Sequence, residues 1–420
     1  MLHFVVDILF DIKLFFIYFY KVIKNEKESK AKSLDTAKRR KKMDGLNKIY
    51  IEPTNRCNLT CVTCVRNSWD EPLGDMDWSV YQKLIDDLAD FPEVKTIAFA
   101  GLGEPLLHPK LPEMIQLAHN RGLTTEMTSN AMLLTKEMAS RLIDAGLDQF
   151  AVSIDGASND IYENIRPGSS LKQITKNVAH LFRLSVAHLY RQRRANVKAI
   201  NTITIGIVFV AMKSNIQGLP EIRKIANIIK ASFILVTNVL PYTANLQDEI
   251  LYRLRPSANN SKGSPLYPLW ILPNMDFSEE TMKPLSKIFR GSSNLAFLDF
   301  PMSMRNNYCP FVGDGSISVG WHGVVSPCLP LMHSYPCFIR NREKRFLRCE
   351  YGLLTDRSLK EIWMDSEYLS FRSRVRSFDF PPCTDCGGCE LAETNEEDCL
   401  NNKFPVCGDC LWARGVLRCP

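Results

Sequence analysis

From residue 48 to about residue 240, short apolar runs alternate with longer amphipathic stretches. The apolar runs predict strands at Lys48–Glu52, Thr96–Ala100, Thr124–Thr128, Gln149–Ile154, Thr202–Val210 and Phe233–Asn238. Between them, apolar positions at helical spacing predict helices near 78–90, 109–121, 135–145, 171–190 and 219–230, with Gly122 and Gly146 as stop signals. Strict strand–helix alternation implies right-handed crossovers and a parallel sheet. Six such units make an α/β fold, an open or partial (β/α)6 barrel over residues 44–240 rather than a full eight-fold one. Residues 241–300, with many Pro, Asn and Ser, break the rhythm and read as a connecting or substrate-facing insertion. Residues 301–420 are loop-rich and form a second unit, and no internal repeat is evident.

The first 43 residues stand apart. Residues 1–23 are strongly apolar but interrupted by Asp7, Asp11 and Lys13, and the longest clean run is Leu14 to Tyr20. A membrane span needs roughly 18 or more apolar residues. A secretory signal would carry positive charge ahead of its apolar stretch. Two readings remain. The segment lies on a membrane surface, helped by the basic run Lys38–Lys42, or Met43 is the true start, leading straight into the first strand. The second is preferred.

Composition adds little and charge placement more. The chain is 45% hydrophobic and 23% charged, ordinary for a globular protein of 420 residues. Its net charge of +6 is matched by the excess of residues 1–42, with 11 basic and 5 acidic side chains. The folded body is therefore neutral, which speaks against a nucleic-acid partner. Fourteen cysteines are too dilute for a disulfide scaffold. Three lie at Cys57, Cys61 and Cys64, none follows for 244 residues, and eleven fall between Cys309 and Cys419. Two such clusters point to metal sites in a reducing compartment, and so to the cytoplasm.

The first cluster, C-x3-C-x2-C, follows the first strand directly. Three thiolates on one loop suit three irons of a four-iron cluster. They leave one iron open at a strand end, where parallel α/β folds place their chemistry. A three-thiolate zinc site completed by a histidine, or unliganded thiols, are the plainer alternatives.

This motif resembles that of the radical S-adenosylmethionine (radical SAM) superfamily, and further segments match in order. Gly101-Leu102-Gly103-Glu104-Pro105 resembles the motif that contacts the methionyl amine of the cofactor, with Leu102 where a glycine is usual. Thr128-Ser129-Asn130 stands where the family contacts the ribose, with Ala131 in place of a common glycine. Val152-Ser153-Ile154-Asp155-Gly156 resembles another cofactor-contacting segment. The resemblance implies that Gly103, Glu104, Ser129, Asn130, Ser153 and Asp155 bind S-adenosylmethionine. It also implies a [4Fe–4S] cluster on Cys57, Cys61 and Cys64. A low-potential donor, ferredoxin or flavodoxin, would reduce the cluster. Cleavage would then give methionine and a 5′-deoxyadenosyl radical that abstracts hydrogen from a substrate.

The second cluster begins with Cys309-x13-Gly323-x4-Cys328 and continues with Cys383, Cys386, Cys389, Cys399, Cys407, Cys410 and Cys419. It resembles the SPASM extension, which implies two auxiliary iron–sulfur clusters. On spacing alone, Cys383-x2-Cys386 and Cys407-x2-Cys410 equally suit a zinc ribbon. Cys337 and Cys349 fit neither scheme and read as packed free thiols. Arg191, Arg193 and Arg194 read as a solvated helix end, and His108 as a loop hydrogen-bonding residue.

Residues 395–420 and Ile49–Cys57 resemble radical SAM/SPASM maturases of tungsten-cofactor oxidoreductases of the aldehyde:ferredoxin oxidoreductase type. This implies modification of a tungsten enzyme or its cofactor. The competing readings are a peptide- or protein-modifying enzyme of the thioether, crosslink or sulfatase-maturase kind, and a non-catalytic iron–sulfur or zinc protein.

Overall fold

A computed structural model describes residues 45–69, 71–195, 202–252, 269–273, 275–276, 278–291, 295–297, 308–339, 342–381, 383 and 389–418. The expected N-terminal extension, and Cys386 and Cys419 among the expected ligands, lie outside the described residues.

All six expected strands form. They are β1 (Lys48–Ile51), β2 (Thr96–Phe99), β3 (Thr124–Ser129), β4 (Gln149–Ser153), β5 (Thr204–Ala211) and β6 (Phe233–Asn238), each parallel to the next. Helices 78–87, 111–120, 136–144, 171–194 and 222–229 stand between them as the spacing predicts, with a short further helix at Asn159–Ile165. Helix starts follow the local chemistry. Asp77, Thr135 and Ser170 each cap one by accepting from the backbone N–H two or three residues on.

Strand residues alternate between two buried environments. Ile49, Ile51, Ile97, Phe99, Phe150 and Val152 pack in the main core under the helices. Tyr50, Ala98, Ala151 and Val208 point the other way into separate clusters. With both faces covered, the strands read as continuous apolar runs.

The sheet continues beyond the expected set. Within residues 241–300, β7 (Leu269–Leu272) and β8 (Leu295–Phe297) add further parallel strands beyond β6. On the other edge, β9 (Ser316–Val319) pairs parallel to β1, followed by antiparallel β10 (Val324–Ser326) and β13 (Gly352–Leu353). A separate hairpin is formed by β11 (Tyr335–Ile339) and β12 (Arg342–Phe346). The second unit is thus built onto the barrel sheet rather than tethered beside it.

The C-terminal unit also crosses the mouth of the barrel. Tyr335, Cys337 and Phe346 pack with Val65, Ile165, Met212, Val239 and Tyr242, all in the segments that follow the strands. The Phe338 N–H donates to the Pro241 carbonyl at 2.6 Å. Asn238, at the end of β6, donates to the Val416 carbonyl at 2.8 Å. No helix among the described residues is long and apolar enough to cross a membrane.

Candidate active site

The loop after β1 carries Cys57, Cys61 and Cys64, all without disulfide partners. Burial pushes Cys61 up to about 11, and the neighbouring thiols Cys64 and Cys57 add to the rise. Each of two sulfurs has an N–H donor aimed at it. Asn130 Nδ2 lies 3.9 Å from Cys57 Sγ, and Arg166 Nη1 lies 3.7 Å from Cys61 Sγ. Three thiols on one turn, Cys61 buried and Cys57 and Cys64 half-buried, two of them met by N–H donors, fit a cluster held by thiolates.

Glu104 is buried and accepts from Ser129 Oγ at 2.6 Å, Asn130 N at 2.8 Å and Leu106 N at 3.1 Å. Burial holds its carboxyl above the usual range, against these three bonds. The hydrogen-bond donors described for Glu104 are all uncharged, and the charge of Arg166 adds a smaller pull in the same direction as these bonds.

The turn before it is tight. The Glu104 N–H bonds the Arg56 carbonyl at 2.8 Å, and a Cβ at Gly103 would lie 2.0 Å from the Thr54 carbonyl oxygen. Only glycine lets this turn lie against the cysteine loop. Asn130 completes the join by donating to Asn58 Oδ1 at 2.9 Å. Ala131 has φ +58°, the left-handed region in which glycine carries no strain.

Asp155 is fully buried. It accepts from Arg166 at 2.7 Å and from the Val210 N–H at 2.8 Å. Arg166 therefore ties the segment after β4 to the cysteine loop, and its charge is reinforced by Asp155 and Cys61 although burial opposes it. Asn215 bonds the Asp155 carbonyl at 2.9 Å. Ser153, the half-buried last residue of β4, accepts at its carbonyl from Tyr162 OH at 3.4 Å. The contacts described for Ser153 reach none of the other candidates. His108 bonds the Met76 carbonyl and accepts from the Lys110 N–H, both loop contacts.

A further set escaped the sequence reading. Glu52, the fully buried residue after β1, accepts from the Leu102 N–H at 2.9 Å and from His333 Nε2 at 2.9 Å. His333 Nδ1 faces Glu71 Oε2 at 2.5 Å, and Trp69 packs edge-on against the ring. Burial works against a charged ring here. Hydrogen bonds and charge from Glu52 and Glu71 outweigh it and push His333 up to about 9. An acidic residue closing an apolar strand was the one local signal. Arg166 offered none, because its partners are brought to it only by the fold.

In the C-terminal unit, antiparallel pairing of β9 and β10 returns the chain, and Cys309 and Cys328 meet Cys407 and Cys410. Burial pushes Cys309 up to about 12 and raises the other three, and the charges of these thiols act on one another. Cys309 and Cys328 pack with Tyr50 and Ala98, on the face of the barrel sheet away from the helices. Cys383 is pushed up to about 11 by burial, then by Asp409 and, among others, Cys399. Cys389 and Cys399 are exposed, while Cys337 and Cys349 are buried. Among the described residues, no three His, Cys, Asp or Glu side chains gather as a single metal ion requires.

Comparison with known proteins agrees with this geometry. Residues 51–190 match the radical SAM superfamily model, and residues 309–390 match SPASM, an iron–sulfur cluster-binding domain. The chain is 30% identical, over 89% of its length and 96% of the relative's, to the tungsten-containing aldehyde ferredoxin oxidoreductase cofactor-modifying protein of Pyrococcus furiosus. It is 25% identical to Fe-coproporphyrin III synthase of Methanosarcina barkeri, over 74% of this chain and 72% of that one. Its fold is similar to that of Streptococcus suis SuiB bound to S-adenosylmethionine, with a TM-score of 0.56 and 15% identity, over 88% of this chain and 76% of that one. The chain belongs to the radical SAM superfamily, in the group whose barrel carries a SPASM domain, and is an enzyme of S-adenosylmethionine and iron–sulfur clusters.

Proposed function

We propose that this enzyme is a maturase that modifies a tungsten-dependent oxidoreductase of the aldehyde ferredoxin type, or that enzyme's cofactor. The observation that carries this reading is similarity to the Pyrococcus furiosus cofactor-modifying protein over nearly the whole of both chains. That span includes the barrel and the C-terminal unit across its mouth, where a substrate would meet the radical.

The contacts support the following residue roles. Cys57, Cys61 and Cys64 would hold the catalytic [4Fe–4S] cluster, three thiolates for its four irons. When bound and reduced, that cluster supplies the electron that splits S-adenosylmethionine into methionine and a 5′-deoxyadenosyl radical. Glu104 receives the methionyl ammonium, and Gly103 allows the turn. Ser129 and Asn130 fix Glu104 and line the same rim, while Ser153 and Asp155 bound the site beyond β4. Arg166 holds Asp155 against the cysteine loop.

For the auxiliary sites, mutual proximity supports one set of Cys309, Cys328, Cys407 and Cys410. Cys383 and Cys399 support a second, completed by Cys386 and Cys389, with Cys419 to spare. A low-potential ferredoxin or flavodoxin in the cytoplasm supplies electrons.

The test is to mix the cluster-loaded, reduced enzyme and S-adenosylmethionine with tungsten oxidoreductase produced in its absence. Mass spectrometry then follows the released pterin and the peptides. The proposal expects 5′-deoxyadenosine together with a mass change in the pterin or the polypeptide. An unchanged oxidoreductase, or a mass change only in an unrelated peptide, would overturn it.

A further inference from the structure

His333 belongs to the C-terminal unit, five residues after Cys328, yet its ring is buried in the barrel mouth between two barrel carboxylates. Both ring nitrogens face oxygen acceptors, at 2.9 Å and 2.5 Å, so both carry protons and the ring is an imidazolium. Glu52 then has one oxygen on this ring and the other on the Leu102 N–H.

Leu102 sits inside the Gly101–Glu104 turn. Gly101 has φ +130°, and a Cβ there would lie 2.7 Å from Glu52 Cγ. The Glu52 side chain therefore fills the space that shapes the turn. Glu71 anchors the ring from the loop that follows the three cysteines, and it also accepts from the Ser334 N–H at 3.4 Å. One imidazolium thus joins the start of the cysteine loop, the stretch just beyond it, and the C-terminal unit.

We propose that His333 is a positioning residue for S-adenosylmethionine: by holding Glu52, and through it the Leu102 N–H, it makes the geometry of the cofactor turn depend on the C-terminal unit. This rests on the assignment of the Gly101–Glu104 turn to S-adenosylmethionine. His333 touches neither cofactor nor substrate in this account. Its effect is electrostatic as well as steric, since a neutral ring can donate to one carboxylate only and leaves the oxygen of the other that faces it without a donor. The charged and titratable groups around it are Glu52 and Glu71, with His322, Arg348 and Glu350 beyond them. The ring's ordinary value is near 6.5 and its folded value about 9. The contact is therefore complete at and below neutral pH and is lost as pH rises through about 9.

The experiment measures equilibrium binding of S-adenosylmethionine to the full-length, cluster-loaded, oxidised enzyme between pH 7 and pH 10. The readout is the ratio of wild-type to H333Q affinity at each pH, which cancels titration of the ligand's own amine. At pH 7 the ratio should be at least about five-fold, the low end of typical coupling between sites. It should collapse toward one above about pH 9, where the wild-type ring is neutral. E71Q, which leaves the Glu52–Leu102 contact in place, should bring the collapse to lower pH and provides the test if H333Q does not fold. A ratio near one at pH 7, or one that stays constant to pH 10, overturns the proposal. E104Q separates the two layers. If its binding is unchanged, the assignment of the turn fails; if it weakens while H333Q does not, only the coupling fails.

Discussion

Asp155 shows how single residues carry this site. Its carboxylate is fully buried, and the cation that meets it, Arg166, is itself only 11% exposed at its side chain. Removing Arg166 strands a buried charge. R166M should therefore lower stability by about 3–5 kcal/mol, and the double variant D155N/R166M should recover part of that loss. The midpoint of anaerobic denaturation reads both, and an R166M midpoint equal to that of wild type would contradict the pairing. At this scale the sequence was legible where chemistry is local. Three cysteines on one turn announce a cluster, and Glu104 follows a glycine turn at a strand end. Arg166, Glu71 and His333 were not legible. Their roles come from partners 11, 262 and 281 positions away along the chain, and no local pattern encodes such contacts.

Elements were legible to the extent that periodicity and caps agree. The helix Leu359–Trp363 begins with a full capping box: Ser358 Oγ accepts from the Glu361 N–H, and Glu361 accepts from the Ser358 N–H. S358A should cost about 1 kcal/mol of stability with 5′-deoxyadenosine formation unchanged, because the cap lies away from the cysteine loop. Loss of cleavage in S358A would show that this helix bears on the site. The alternation of residues 48–240 gave six strands to within about two residues at their ends, since each apolar run is bounded by polar or glycine positions. It could not give β9. That strand lies more than 260 residues from β1 in sequence, and its pairing with Lys48–Ile51 is decided by the open sheet edge beside β1 rather than by its own pattern. Within residues 241–300, β7 and β8 are short runs among turn-forming residues, so their composition spoke for a loop and the exposed edge of β6 spoke for strands.

For the whole molecule, the C-terminal unit is at once a sheet extension, a cover for the barrel mouth and a holder of cysteines. The cluster on the loop after β1 and the two auxiliary sets proposed for the C-terminal unit predict about 12 irons per chain, at four per cluster, with matching acid-labile sulfide and no zinc, in protein purified without oxygen. Changing Cys309 and Cys407 to Ala together should remove about four of them. About four irons with about one zinc would mean that the C-terminal unit is a structural ribbon. The central claim, however, is reductive cleavage of S-adenosylmethionine at the loop after β1. Its most direct test is the 5′-deoxyadenosine formed by the reduced full-length enzyme beside the C57A/C61A/C64A variant. The enzyme should form 5′-deoxyadenosine and the variant none above background. Equal formation by both, or none from the fully loaded enzyme, would contradict the claim.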